Sequence, residues 1–367
     1  MEDKRIYKIA LSLVPGIGSV LARNLVAYIG SVEGVFSQSF QALRKIPGIG
    51  EMNARKIKNQ KIFSKAEKEL VFTEKNGIGI HFYTDKNYPR RLKPCIDAPV
   101  ILYSKGEMNL NEQRVVSIVG TRNATDYGKQ VCEQLIEGFA TRQYPVLVVS
   151  GLAYGIDVQA HKSALKFNVP TVGVVAHGLD KLYPSLHADT ARKMQGNGGI
   201  VSDFPSETKI DPANFIRRNR IIAGLADATI VVESAEKGGA LITADIASSY
   251  NRDVFAFPGR AGDTYSKGCN KLIRLNGADL IEGIDDLEFF MGWENQPKEK
   301  VIQSALFIDL SPEEEKVVEL LQKEKELFID QISGELKMPG SKISALLLNM
   351  EFKNLLMALP GKMYRLR

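Results

Sequence analysis

Asp211-Pro-Ala-Asn-Phe-Ile-Arg-Arg-Asn-Arg-Ile-Ile-Ala-Gly-Leu-Ala-Asp227 runs straight into Ala228-Thr-Ile-Val-Val232, and these two segments set the architecture of the middle of the chain. The second reads as a strand of pure core character. The apolar run from Ile221 reads as a helix leading into it. A helix feeding a strand with no polar face is the unit of a mainly parallel sheet covered on both sides. Arg217, Arg218, Asn219 and Arg220 stand, on this reading, directly before the helix start. Guanidinium forks suit phosphate oxygens, and free N–H groups where a helix begins add to them. The other reading is a solvated surface loop.

The same pattern extends on either side. Val115–Val119, Val146–Ser150, Thr171–Val175, Gly199–Ser202, Thr229–Glu233 and Asp253–Phe257 are short apolar runs separated by helix-length segments. They predict an α/β domain over residues 113–285, an extended Rossmann-like core. Ligands of such sheets sit beyond the carboxyl ends of the strands. The loops expected there are Gly120-Thr121-Arg122, Gly151–Gly155, Ala176–Gly178, Phe204-Pro205 and Gly238-Gly239.

Gly120-Thr-Arg-Asn-Ala-Thr125 occupies the place of a dinucleotide fingerprint but lacks its second and third glycines. Backbone cannot then approach a pyrophosphate closely, whereas Arg122 offers a bidentate phosphate contact from a wider pocket. A salt bridge from Arg122 to Asp126 or Asp157 is the alternative. Gly238-Gly239 enters a helix through Leu241-Ile-Thr243-Ala and can hold a phosphate on free N–H groups or serve as a tight turn. Asp157 and His161 lie four apart, and local capping and packing are favoured over acid–base work. Tyr127, Tyr154, Tyr183, Phe215 and Tyr265 are candidates for stacking on bases.

The flanks differ in kind. Residues 1–75 read as short helices around two near-copies, Leu13-Val-Pro-Gly-Ile-Gly18 and Lys45-Ile-Pro-Gly-Ile-Gly50, which have the look of the helix-hairpin-helix. Residues 76–112 read as an extended connector, with Asn87-Tyr-Pro-Arg-Arg-Leu-Lys-Pro94 as a basic stretch, and residues 286–305 as a linker. Residues 306–367 read as a winged helix that opens on Ser311-Pro312-Glu313. Net charge is +5 overall, but +7 over residues 1–112, +1 over 113–285 and −3 over 286–367. That excludes a uniformly basic nucleic-acid coat, and any polyanion site in the core is a local patch. Glu313, Glu314, Glu315 and Glu319 on the first helix of the winged domain favour a protein-contact role for it over groove reading.

The 367 residues, 44% hydrophobic and 25% charged, suit a globular protein of two or three domains. No apolar run reaches membrane length and no signal core follows Met1–Arg5, so the expected location is the cytoplasm. Three scattered cysteines and four histidines show no metal-ligand spacing, and no structural metal is expected.

Seven segments in order then carry a resemblance. They are Ser117–Arg122 with Tyr127-Gly128, Ser150–Asp157 with Ala160-His161, Gly178–Pro184, Phe215–Gly224, Gly238–Ala244, Phe257-Pro-Gly259, and Ser266–Asn270 with Gly277-Ala278. Together they resemble the DprA (Smf) family, the DNA-processing proteins of natural transformation and competence, and the two flanking domains match that family's common architecture. The resemblance implies a core that binds single-stranded DNA without sequence preference and a homodimer that protects incoming strands and helps load the RecA recombinase. It implies neither cofactor nor catalysis. By motif, Arg122, Arg217, Asn219 and Arg220 fall in the family's basic pocket, with Arg218 in the same run. Gly120, Thr121, Ser150, Gly151, Gly238, Gly239 and Thr243 would line it, and Lys267 falls in the last motif beside them. Departures are Gly238-Gly-Ala-Leu where many members have Ser-Gly-Ser-Leu, His177 in place of a glycine, and Ile216 in place of a proline. Charge reversal at Arg122 or Arg220 is expected to abolish most strand binding with the fold intact.

The rival reading is an enzyme similar to Rossmann-type phosphoribohydrolases, which place a glutamate three residues after a helix-start threonine. Here that position is Ile246, and Asp245 beside it would point about 100° away on a helix. A winged-helix transcription factor leaves the α/β core without a role.

Overall fold

The computed structural model describes residues 3–142, 144–293, 310–353 and 355–366. Six helices come first: α1 (Lys4–Leu13), α2 (Ser19–Ile29), α3 (Val32–Ser37), α4 (Phe40–Arg44), α5 (Gly50–Ile57) and α6 (Lys61–Lys75). The Pro-Gly-Ile-Gly copies are the turns into α2 and α5. Gly16 and Gly48, the residues after proline, hold φ of +84° and +80°, a left-handed backbone that glycine alone adopts without strain.

The strands that follow are β1 (Gly79–Phe82), β2 (Ile101–Lys105), β3 (Arg114–Val119), β4 (Val146–Ser150), β5 (Thr171–Val174), β6 (Gly198–Ser202), β7 (Ala228–Val231), β8 (Asp253–Ala256) and β9 (Asp279–Leu280). Among the described residues they form a nine-stranded sheet in the order β1-β2-β6-β5-β4-β3-β7-β8-β9. Pairing is parallel from β6 through β5, β4 and β3 to β7, and again between β8 and β9. Connecting helices are α7 (Asp126–Arg142), α8 (Ile156–Lys166), α9 (Ala188–Met194), α10 (Pro212–Leu225), α11 (Gly239–Ser249) and α12 (Lys267–Arg274). β3, β4, β5 and β7 are buried along almost their whole length, as strands covered on both faces must be.

Residues 76–112 are not a connector. β1 and β2 pair antiparallel with one another, and β2 with β6, so this stretch supplies one edge of the sheet. The basic stretch Asn87–Pro94 is partly interior. Arg91 is fully buried, with Nε 2.6 Å and Nη2 2.8 Å from the two carboxylate oxygens of Asp227 and further bonds to the carbonyls of Glu112 and Gln113. A buried fork-to-carboxylate pair of this kind ties the segment to the start of β7. One apolar cluster runs from Ile9 and Leu25 of the helices through Phe82, Ile101 and Tyr103 to Met194 and Ile200.

α10 begins at Pro212, earlier than the arginine cluster suggests. Asp211 caps it by accepting from the Ala213 N–H at 2.8 Å, and proline follows in the first turn. Arg217, Arg218, Asn219 and Arg220 are therefore mid-helix residues whose own N–H groups are spent on the helix.

Of the expected linker, residues 286–291 belong to α13 (Ile284–Met291), and residues 294–305 lie outside the described residues. The C-terminal unit contains α14 (Pro312–Glu324), β10 (Glu326–Phe328), α15 (Ile329–Leu336), α16 (Gly340–Phe352), β11 (Leu356–Leu359) and β12 (Met363–Leu366). Its antiparallel sheet has the order β10-β12-β11 and closes over a core of Val317, Leu321, Ile332, Ile343, Leu347 and Met350. Ser311 and Glu314 form a reciprocal capping box at the start of α14. This is a winged helix.

Candidate functional site

β3 is the pivot of the large sheet. The chain winds from it through β4 and β5 in one direction, and through β7 and β8 in the other. Beyond the carboxyl ends of β3 and β7, where the winding reverses, a doubly wound sheet leaves its crevice. A cavity of 350 Å³ lies there, lined by the loops after β3, β4 and β7 together with one face of α10.

Arg122 stands on the rim. It is exposed, makes no ion pair among the described residues, and has its guanidinium 5.7 Å from the ring centre of Phe215 on α10. Asp126 pairs with Lys129 instead. Thr121 is fixed beneath Arg122 by its N–H bond to the Glu233 carbonyl at 2.8 Å. Gly120 is a packing residue, since a Cβ there would meet the Ile156 side chain at 2.5 Å.

Arg218 forms the floor. It is 3% exposed, donates from Nη1 to the Val174 carbonyl at the end of β5, and leaves its Nε without a partner. Burial lowers the guanidinium to about 10, opposed by Asp157. Burial likewise raises the Asp157 carboxyl, with Arg218 the main opposing influence. The cation and the carboxylate thus lie side by side in the floor, each offsetting part of the other's burial cost. Gly151 works behind it: a Cβ would meet Arg218 Nη1 at 2.2 Å and the Asp157 carboxylate at 2.4 Å.

The third wall is the start of α11. Its N-cap is Gly238 and no side chain caps it. The two glycines divide the work. A Cβ on Gly238 would strike the Ser234 hydroxyl at 2.2 Å, whereas one on Gly239 would meet nothing within 4 Å. Thr243 lines the same wall, with its hydroxyl 3.5 Å from the Gly239 carbonyl. Asn219 completes the α10 face.

Lys237 also lines the crevice, exposed, and was missed from the sequence. The signal was present, a cation adjoining a Gly-Gly helix entry.

Five of the expected residues lie outside the crevice lining: Gly151, behind Arg218, and four more. Ser150 is fully buried and gives its hydroxyl to the Ile118 carbonyl at 2.6 Å, stitching β4 to β3. Lys267 is exposed at the start of α12, outside the cavity linings. Arg217 and Arg220 face a separate groove of 390 Å³, bounded across from α10 by Gly18–Leu21 of the first hairpin. Arg217 is exposed there, 5.3 Å from the Phe204 ring centre. Arg220 is largely buried and ion-paired with Asp203, and it also donates to the Asp97 carbonyl. Helical geometry explains the split, because successive residues point about 100° apart and one face cannot present all four.

Asp157 and His161 are not an acid–base pair. His161 is fully buried, its Nδ1 2.7 Å from the Thr171 hydroxyl, and burial pushes its imidazole down to about 3. His177 is locked as well: its Nδ1 lies 2.8 Å from the Gly178 carbonyl and its Nε2 accepts from the Tyr183 N–H at 3.0 Å.

Fold and crevice together define a class: a Rossmann-like sheet with a crevice at its switch point, in one chain with a helix-hairpin-helix domain and a winged helix. Residues 79–291 match the family described as DNA recombination-mediator protein A, residues 9–60 the SAM-like helix-hairpin-helix tandem, and residues 305–362 the DprA winged helix domain. The chain is 30% identical to protein Smf of Synechocystis sp., over 100% of both chains. The structure of DNA processing protein A from Streptococcus pneumoniae superposes with a TM-score of 0.64 at 29% identity, covering 78% of this chain and 97% of that one. DNA processing protein A from Helicobacter pylori, studied for its mode of binding single-stranded DNA, gives 0.53 at 27% identity over 59% and 96%. The chain belongs to the DprA/Smf family of DNA-processing proteins.

Proposed function

We propose that this protein binds single-stranded DNA through its sugar–phosphate backbone in the switch-point crevice, without sequence preference, and serves as a non-enzymatic recombination mediator during DNA uptake. The observation that carries this reading is Arg122, exposed and without an ion pair among the described residues, on the rim of a crevice that Arg218 and the N-terminus of α11, which no side chain caps, also line. Lys237 adds a third cation. Phosphate is the ligand such donors suit, and contacts of this kind carry no base information, hence the absence of sequence preference. The Helicobacter pylori relative binds single-stranded DNA, which supports the same ligand here.

Membership of a recombination-mediator family supports the further steps: a homodimer holds and protects the strand and helps load RecA on it. The cytoplasm is where those partners meet, and among the described residues no helix is long and apolar enough to cross a membrane. Against the rival hydrolase, Ile246 faces the other groove, and Asp157 is the one carboxylate lining the crevice among the described residues. Asp157 sits beside Arg218 and is poorly placed to activate water.

The test is fluorescence anisotropy with single- and double-stranded oligonucleotides across a salt series, for the wild type and Arg122→Glu. The expected result is preferential, salt-sensitive binding of the single strand, with log Kd varying by about 0.7 per log unit of salt for each phosphate held. Arg122→Glu should weaken binding more than tenfold with an unchanged melting temperature. Unchanged affinity in that variant sinks the site, and release of base from nucleoside monophosphates by the wild type would revive the hydrolase.

A further inference from the structure

A second cavity, of 940 Å³, adjoins the crevice, and Tyr265 lines both. Its other walls include Tyr127 at the start of α7, the Pro258-Gly259-Arg260 loop after β8, and Asp263-Thr264. Its charged lining is net negative: Arg260 stands against Asp263 and against Glu233, whose carboxylate accepts from the N–H and hydroxyl of Thr125. A phosphate has little reason to enter it. An aromatic, uncharged, flat ligand does.

The walls are held in place before any ligand arrives. Asn123 donates from Nδ2 to the Tyr265 hydroxyl at 3.1 Å, and Ser234 N–H donates to the Tyr265 carbonyl at 2.7 Å. The Tyr127 hydroxyl donates to the Pro258 carbonyl at 2.8 Å, although the residue is 47% exposed. Asn270 clamps the facing loop through both N–H and carbonyl of Gly259, at 3.1 and 2.9 Å. The other aromatic candidates are engaged: Tyr154 against His187, Tyr183 against Phe215, and Phe215 beneath Arg122.

We propose that this second cavity is a nucleobase subsite, in which Tyr265 and Tyr127 stack on a base of the strand whose phosphates occupy the crevice. Tyr265 is the partition between the backbone side and the base side. Stacking on a tyrosine face tolerates every base, so the subsite adds affinity without adding sequence preference. The proposal rests on the crevice being a single-strand site.

The experiment compares a single-stranded oligonucleotide with one of equal length made of abasic residues, for the full-length wild type, Tyr265→Ala, Tyr265→Phe, Tyr127→Ala and Arg122→Glu. Tyr265→Ala should weaken binding of the base-bearing strand roughly 5- to 150-fold, the range for losing one stacked base. It should leave binding of the abasic strand and the salt slope unchanged, because stacking releases no counterions. Tyr265→Phe keeps the ring and should retain most of the affinity. Tyr127→Ala provides the same readout if Tyr265→Ala melts early. Arg122→Glu should weaken both strands alike. Equal losses on both strands for the tyrosine variants, or no loss on either while Arg122→Glu still weakens binding, overturns the base subsite and leaves the crevice standing. A wild type that binds neither strand removes both readings together.

Discussion

His161 shows what burial does to a single side chain. The Thr171 hydroxyl donates to the Val148 carbonyl at 3.0 Å, so Nδ1–H of His161 is the donor in their mutual contact. Its folded-state value near 3 lies well below the 6.5 of a free imidazole. Between those two values the unfolded chain takes up a proton that the native chain refuses, so native stability falls as pH drops through that window. The wild type should therefore lose more melting temperature than His161→Gln between pH 6.5 and 4.5, measured by thermal denaturation in matched buffers. Equal losses would mean that other groups carry the acid sensitivity. Sequence spacing placed His161 on a helix near Asp157 but could not show that β5 would cover it. Ser150 fell to the same limit. Its position at a strand end suggested a ligand contact, and only the neighbouring strand reveals where the hydroxyl goes. Arg122 and the Gly238-Gly239 entry, by contrast, were readable, because a loop beyond a parallel strand has one direction to face.

At the scale of one element, α10 decides how the arginines are shared out. Arg218 and Asn219 turn toward the crevice, Arg217 and Arg220 toward the hairpin groove, and Ile216 borders both. Arg220 is part of the framework. Removing it leaves the carboxylate of Asp203 buried and unpaired, which costs roughly 3–5 kcal/mol. Arg220→Ala should lower the melting temperature by on the order of 10 °C, as followed by circular dichroism, whereas Arg217→Ala should not. Equal melting of both variants would refute this division. The helix start was legible in Asp211-Pro212, an N-cap with proline behind it, but the density of arginines drew attention to a later boundary. β1 and β2 were hidden for another reason. Ile101–Ser104 is buried on both faces by helices and strands remote in sequence, and nearby prolines at 89, 94 and 99 disguise the run as a linker.

For the whole molecule, the winged helix is a unit with its own core, and its α16 shows an exposed Leu348 and Phe352 rather than base-reading arginines. Deleting residues 306–367 should change crevice affinity less than threefold, against more than tenfold for Arg122→Glu, in the same anisotropy assay. Loss of binding on truncation would assign this domain a direct role on the strand. The division of the chain into helical, Rossmann-like and winged parts was legible from hairpin motifs, strand runs and the charge change near residue 286. How the first two parts join was not.

They share one apolar cluster, from Ile9 on α1 to Ile200 on β6, with β1 and β2 lying between. That continuity bears on how such a chain can be inherited. A crossover that exchanged only the first seventy-five residues with a distant relative would bring together two halves of a core that had diverged separately. It would leave mismatched volumes along α1, α6 and β2, where filling and overfilling each carry a penalty. Exchanging the hairpin domain without the sheet edge beside it should therefore cost stability, a penalty that the winged helix, with a core of its own, does not carry.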